Sequence, residues 1–362
     1  MAFYIVIATL IFFGIFLKDT KHMYLKFVFV LLFLFTALHN PKMGSDPINY
    51  MRIFGIVHNL NAFISDLYLF TDYGIGVPLL MSITKTIHND YFLFQVFYSL
   101  LSTILLYKVI IKAGLENRDL FLTLFVYFCY RYFQNSMEFL RQGIAIELVW
   151  LAFLSLNDHE KLKIEPFVIA SVGSLFHASA IIAVLVLPLL RIVSKREFRA
   201  KDIFWLTASI SIFMMVVPIY LYSSLLYWVL KGVGSSFVRY ADHVGVDSGG
   251  LNYINFAIRL AFLFIVTFNF ENIDYNKKRS IFVLGCLAVL VGSINMSYIT
   301  RLLEYFMIAI YIVTAISYKS FSRNSKYAYL FCIYGAFMII LIRNLHTVGG
   351  GGYLNWQMYF GG

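Results

Sequence analysis

The chain is expected to fold as an all-α polytopic membrane protein with about 10–12 transmembrane helices, and three observations carry that expectation. Of its 362 residues, 60% are hydrophobic and only 13% are charged, and mean hydropathy is +0.77, far from the composition of a soluble domain. The apolar residues gather into runs near bilayer-crossing length over the whole chain, separated by short polar stretches. Residues 1–362 therefore form one integral membrane domain. The basic residues cluster in the gaps, so the net charge of +10 reads as membrane topology before it reads as nucleic-acid binding.

The apolar segments are 2–17, 24–38, 73–87, 91–107, 119–134, 139–156, 166–190, 202–221, 251–268, 280–296, 303–317 and 327–342. The first lacks a basic start and a small-residue cleavage site, which makes it a retained helix. Basic clusters follow the first, fourth and seventh segments, precede the seventh and tenth, and separate the last two. Placing all of them in the cytoplasm leaves two segments anomalous. Segment 166–190 has cytoplasmic charge at both ends and is too short to cross twice. Segment 73–87 is short and carries Gly74, Gly76 and Pro78, which suit a broken helix. The preferred topology has ten crossings, two re-entrant segments and both termini outside. The alternative has twelve plain crossings and places two basic loops outside.

In the preferred topology the outer face is rich in arginine: Arg52, Arg131, Arg141, Arg239, Arg259, Arg301 and Arg343. A planar guanidinium binds a diphosphate or carboxylate with both arms, where lysine offers a point charge. The plain reading is that these side chains snorkel to the interface, Arg131 and Arg343 first. Arg141 stands out because it begins an apolar run, EFLRQGIAIELVW. A buried guanidinium costs roughly 2.5–3.5 kcal/mol on insertion scales, so it either pairs with Glu138, snorkels, or meets an anionic ligand.

The outer loop, 39–72, opens with NPKMGSDPINYMRIF. A helix starting at Pro47 would place Ile48, Met51, Ile53, Phe54 and Ile56 on an interfacial face. Tyr50 would share a face with Asp46. Asp46 is then either the cap of that helix or a carboxylate available for chemistry. His177, in SLFHASA, lies at mid-segment among small residues. It is either a core histidine bonded to a serine or an intramembrane functional group. The Gly- and Ser-rich loop 231–250, with Arg239, is expected to be mobile and to act as a lid. The tail, 343–362, carries Tyr353, Trp356 and Tyr359 as interfacial-belt or sugar-stacking residues. Cys129, Cys286 and Cys332 lie far apart within apolar runs, which argues against disulfides and zinc. No phosphate-binding glycine loop, HExxH or metal spacing occurs, so no metal or cofactor is expected.

Four pieces then fall in order: Gly44, Asp46 and Tyr50; Asp72, Tyr73 and Gly74; Leu140, Arg141, Gln142 and Ala145; and Phe176, His177, Ser179 and Ala180. This ordered set resembles the EpsG family of Wzy-like bacterial exopolysaccharide polymerases. The family usually has Glu where Asp72 stands, and the C-terminal half matches loosely, through Arg301 and Tyr305 on one helix face. The resemblance implies a fold akin to the GT-C-like lipid-sugar glycosyltransferases. It also implies an activity: joining oligosaccharide repeat units carried on a polyprenyl diphosphate, at the outer face of the bacterial cytoplasmic membrane. The lipid-linked donor is already activated, so neither nucleotide nor metal is needed. The implied partners are that lipid-linked oligosaccharide, the bilayer, a flippase and chain-length regulators, with no nucleic acid.

In this reading Arg141, with Arg301 and Arg239, holds the diphosphate, Asp46 or His177 takes the acceptor proton, and Tyr50, Asp72, Tyr73, Gln142 and Tyr305 bind substrate. A lipid-sugar transporter or flippase, an O-antigen ligase-like transferase and a membrane acyltransferase using His177 are the competing readings.

Overall fold

The computed structural model describes residues 1–17, 21–66, 74–158, 163–216, 253–294, 297–347 and 352–360. Among them the regular structure is helical, apart from one isolated bridge between His39 and Met358. The chain divides into two compact units. One comprises Met1–Ser155, Ile164–Ile181 and Ser322–Gly362, and the other comprises Leu156–Lys163 and Ile182–Phe321.

In the first unit α1 (Ala2–Phe13), α2 (Lys21–Ala37), α5 (Tyr91–Lys112), α6 (Asn117–Tyr127), α7 (Leu140–Leu154) and α14 (Arg323–Thr347) follow the apolar runs. Between them lie α3 (Ser45–Ile56), α4 (Gly76–Ile87) and α8 (Glu165–Phe176). α7 is the central helix. Every residue from Gln142 to Trp150 is buried, and α5 and α8 pack against it. Tyr50 and Phe54 of α3, Val77 and Met81 of α4, Phe94 and Tyr98 of α5 and Ile144 and Leu148 of α7 form one core.

The burial pattern is that of a membrane protein. Large apolar side chains such as Phe13, Phe27, Val30, Leu100, Ile104 and Val168 are exposed, while Gln95, Ser99, Ser102, Asn135 and Glu147 are buried. A soluble protein hides the first set, but a helix facing hydrocarbon shows it and keeps its polar groups inside.

In the second unit α12 (Lys278–Ser293) packs against α10 (Ala200–Val216), α11 (Tyr253–Phe268) and α13 (Ser297–Ile316); α9 (Ile181–Ser194) precedes them in the chain. The N-terminus of α12 is basic, and its first amides take their acceptor from elsewhere in the chain. The buried Asp158 carboxylate accepts from the Arg279 N–H at 3.0 Å and from the Ser280 hydroxyl at 2.7 Å, as an anion at a helix N-terminus should.

Helix lengths refine the expected count. Among the described residues, three helices suffice alone by length and composition to cross a membrane, within Tyr91–Lys112, Arg301–Ser320 and Asn324–Thr347. Six shorter apolar helices run 10–17 residues. Both segments expected to be irregular are short or broken. α4 has only 12 residues. Segment 166–190 breaks at His177, whose φ of −149° and ψ of 119° interrupt the helix between α8 and α9.

Candidate functional site

Two consecutive π-helical turns, Phe128–Tyr132 and Gln134–Glu138, join α6 to α7. Widened turns of this kind re-aim side chains and are frequent at functional positions. Here they deliver the buried Gln134, Asn135, Ser136 and Glu138 just ahead of Arg141. Gly143 lets α7 close on that turn, because a Cβ there would lie 1.9 Å from the Asn135 carbonyl oxygen. Tyr98 on α5 donates to the Leu140 carbonyl at 3.1 Å and holds the same turn from another side.

Against this turn lies α3. It starts at Ser45, two residues earlier than the Pro47 start that the sequence suggests, and it buries Pro47, Tyr50 and Phe54. The expected interfacial face is rotated accordingly: Met51 and Ile53 are partly buried against the core, and Ile56 is exposed. Asp46 sits in the first turn, but its side chain does not cap the helix; the N-cap position is Gly44. The cap comes from Glu138, whose Oε1 accepts from the Asp46 N–H at 3.3 Å and from the Ser45 hydroxyl at 2.8 Å. At the other end Lys85 donates to the carbonyls of Phe54 and Val57, both at 2.6 Å. A carboxylate at the N-terminus and an ammonium at the C-terminus both complement the helix dipole.

Tyr50 brings α3 up to Arg141. Its phenol lies near enough to Arg141 to feel the guanidinium charge. Burial raises the phenol above its ordinary range, and Arg141 opposes the rise. Gln142 is buried beside them. Asp46, Tyr50, Arg141 and Gln142 are therefore brought together on facing first turns.

The glycines expected to break the helix at 73–87 meet the end of α8. Gly74 has a φ of +77°, and a Cβ there would lie 2.8 and 2.9 Å from the Leu175 and Phe176 carbonyl oxygens. A Cβ at Gly76 would meet the Phe176 ring at 2.7 Å. Only glycine combines a left-handed backbone with so close an approach. Phe176 in turn packs on the core that contains Tyr50 and Leu140. His177, the next residue, is half-buried and its Nδ1 lies 2.6 Å from the Ser179 hydroxyl. That is the serine partner of the plain reading, though here it fixes a helix break and not the middle of a helix.

Asp72, Tyr73 and Arg239, with the whole of 231–250, lie outside the described residues. Arg301 and Tyr305 belong to the second unit. They stand one turn apart on α13, Arg301 exposed and Tyr305 fully buried.

Sequence reasoning misplaced the tail and passed over four polar residues. Tyr353 is fully buried and donates to Glu138 Oε2, and burial, then the Glu138 carboxylate, push its phenol well up. Trp356 stacks on Phe3, with ring centroids 4.7 Å apart. Tyr353 belongs to the interior, where a belt or sugar-stacking residue was expected, whereas Trp356 stays partly exposed. Glu138 was weighed only as an ion-pair partner for Arg141. His39 and Gln95 meet at the end of α2, where Gln95 Nε2 donates to the His39 carbonyl at 2.7 Å. Glu147 lies buried in α7 with Oε1 accepting from Ser102 at 2.8 Å. The available signal was a carboxylate inside an apolar run, present at both Glu138 and Glu147.

The fold and this polar site define a helical membrane protein. Buried polar and charged residues gather where the starts of α3 and α7 meet. The chain matches the model of the EpsG family over residues 22–359, essentially its whole length, and belongs to that family. Membership places it among the membrane proteins of polysaccharide biosynthesis, related to Wzy-like polymerases. Neither the curated proteins nor the solved structures contain a match.

Proposed function

We propose that the protein polymerises oligosaccharide repeat units carried on a polyprenyl diphosphate, as a multi-pass enzyme of the bacterial cytoplasmic membrane with its site at the outer face. The observation that supports this reading most is the Asp46–Tyr50–Arg141 arrangement, a carboxylate one turn from a phenol that lies beside a guanidinium. In the reaction an acceptor sugar hydroxyl attacks the anomeric carbon of the donor. A new glycosidic bond forms, the bond to the diphosphate breaks, and the lipid diphosphate leaves with an added negative charge. Arg141 meets that developing charge, which a fixed donor stabilises more than it stabilises the ground state. Asp46 takes the hydroxyl proton, with His177 as the alternative base. Tyr50 holds the guanidinium in place, and Gln142 is placed to bind sugar hydroxyls.

The test uses purified protein in liposomes with a lipid-linked repeat unit. A ladder of longer products supports the polymerase, whereas movement of the substrate between leaflets without bond formation identifies a transporter. Transfer to a single acceptor without a ladder identifies a ligase-like transferase. A requirement for an acyl donor identifies an acyltransferase. Arg141→Lys and Arg141→Ala should each lower turnover by about 10²–10³-fold, the loss seen when one fixed oxyanion donor is removed. A normal ladder from both variants removes Arg141 from the mechanism.

A further inference from the structure

We infer that Glu138 is a positioning residue for the Gly44–Asp46 turn, and that the C-terminal tail holds Glu138 in that role through Tyr353. The inference rests on the functional reading above for its activity arm only. Glu138 is 3% exposed and Tyr353 0%. The Glu138 carboxylate divides its work: Oε1 faces the Ser45 hydroxyl and the Asp46 N–H, and Oε2 faces the Tyr353 hydroxyl. A carboxylate whose two oxygens are both engaged by donors fixed in the protein is suited to holding them, not to taking a proton from a substrate. Its backbone lies three residues before Arg141, so one stretch of chain holds the first turn of α3 through Glu138 and brings Arg141 near Tyr50.

The sequence supplies no local substitute. Gly44 has no side chain to cap α3, and none fits there. A Cβ at Gly44 would lie 2.0 Å from Glu138 Oε2 and 2.2 Å from the Tyr353 hydroxyl. An uncapped helix start leaves its first amides without partners, and here the missing acceptor comes from a residue 92 positions away. The tail is itself anchored on both sides of Tyr353. Gly352 lies against the Met43 carbonyl, where a Cβ would come within 2.0 Å. Beyond Tyr353, the Asn40 N–H donates to the Gln357 carbonyl at 2.9 Å and the Tyr359 N–H to the Leu38 carbonyl at 2.8 Å. The tail thus runs beside residues 38–43 and sets the phenol that orients Glu138.

Three variants test this with two readouts. Glu138→Gln keeps an oxygen for Ser45 and Asp46 and leaves an amide facing a hydroxyl that can turn to accept. Glu138→Ala removes both contacts, and Tyr353→Phe removes one oxygen while keeping the ring. The first readout is independent of activity: a cysteine at Asp46, in a background with the three native cysteines replaced, is labelled with a maleimide. Its labelling rate should rise about tenfold or more in Glu138→Ala and Tyr353→Phe, as a local opening worth about 1.4 kcal/mol would give, and stay near the parent rate in Glu138→Gln. The second is the liposome assay with Asp46 intact. Turnover should fall about 10–100-fold in Glu138→Ala and Tyr353→Phe with KM little changed, and Glu138→Gln should restore most of it. Equal labelling in all variants overturns the inference, and so does loss of all turnover in Glu138→Gln, which would make Glu138 the base. If the parent protein forms no polymer, the functional reading fails while the labelling readout still decides the role of Glu138.

Discussion

Replacing Gly143 by alanine should disable the site while leaving most of the molecule intact. The added Cβ would stand 1.9 Å from the Asn135 carbonyl oxygen and 2.9 Å from its carbon. A carbon and a carbonyl oxygen rest comfortably at about 3.3 Å, so the shortfall is roughly 1.4 Å. Neither atom can rotate away, because one is fixed to the backbone of α7 and the other belongs to the backbone of the preceding π turn. The start of α7 must therefore move, and Arg141 and Gln142 move with it. Overpacking of this kind costs about 1–3 kcal/mol of stability, and a displacement near 1 Å at a positioning group can cost about 10²-fold in rate. The assay is ladder formation in liposomes, normalised to folded protein measured by size-exclusion chromatography. Turnover should fall by about two orders of magnitude, which is near 2.7 kcal/mol on the barrier. Gly335→Ala is the matched control, because nothing lies within 4 Å of its added carbon, and it should behave as the parent. A parent-like ladder from Gly143→Ala would refute the claim that this close approach sets the place of Arg141.

Further outcomes follow from the same geometry. His39, just beyond α2, is buried with its Nδ1 on the Thr36 carbonyl, and burial, opposed by that carbonyl and by Glu138, lowers its pKa to about 4. The unfolded chain then binds the extra proton first, so stability is full above about pH 6.5 and falls by up to about 3 kcal/mol as pH drops towards 4. His39→Gln should flatten that acid limb in a Tm-against-pH series, and an unchanged limb would count against it. Arg259, 5% exposed, has a 3.5 Å bond to the Gly292 carbonyl and no carboxylate partner among the described residues. Arg259→Met should leave Tm unchanged or raise it, because removing an uncompensated buried charge lifts a desolvation penalty; a clear drop would point to a counter-charge. His177→Gln should abolish polymer at normal protein level if His177 is the base, and persistence of polymer would leave that role to Asp46. Cysteines at Glu165 and Lys195 should both label only from the cytoplasm if the segment between them is re-entrant, and labelling of one from outside makes it an ordinary crossing.

The helices were legible because apolar run length is a local property. Each apolar segment read from the sequence has a helical counterpart among the described residues, and the break within 166–190 falls at His177. Boundaries slipped where the deciding contact was distant. The start of α3 was set at Pro47 because proline favours the first helical turn, yet Glu138 caps the helix two residues earlier. The same limit applies to the tail. Tyr353 carries the composition of an interfacial belt, and nothing within ten residues of it says that Glu138 waits in the interior.

That limit also explains which site residues the sequence could rank. Arg141 was conspicuous because a guanidinium in an apolar run is costly by itself. Glu138 carries a comparable cost, but beside Arg141 it had a ready explanation as a counter-ion, and a charge already explained attracts no second question. The geometry separates the two. Arg141 lies beside Tyr50, whereas Glu138 accepts hydrogen bonds from Ser45, the Asp46 amide and Tyr353. One helix start therefore presents two opposite charges to one short helix, the anion at its N-terminal amides and the cation one turn further along. Glu138 is engaged at both oxygens by α3 and the tail. A glutamate whose two oxygens are both held by fixed donors is suited to a structural task, whereas a planar guanidinium beside a phenol has the fork that suits an anionic ligand.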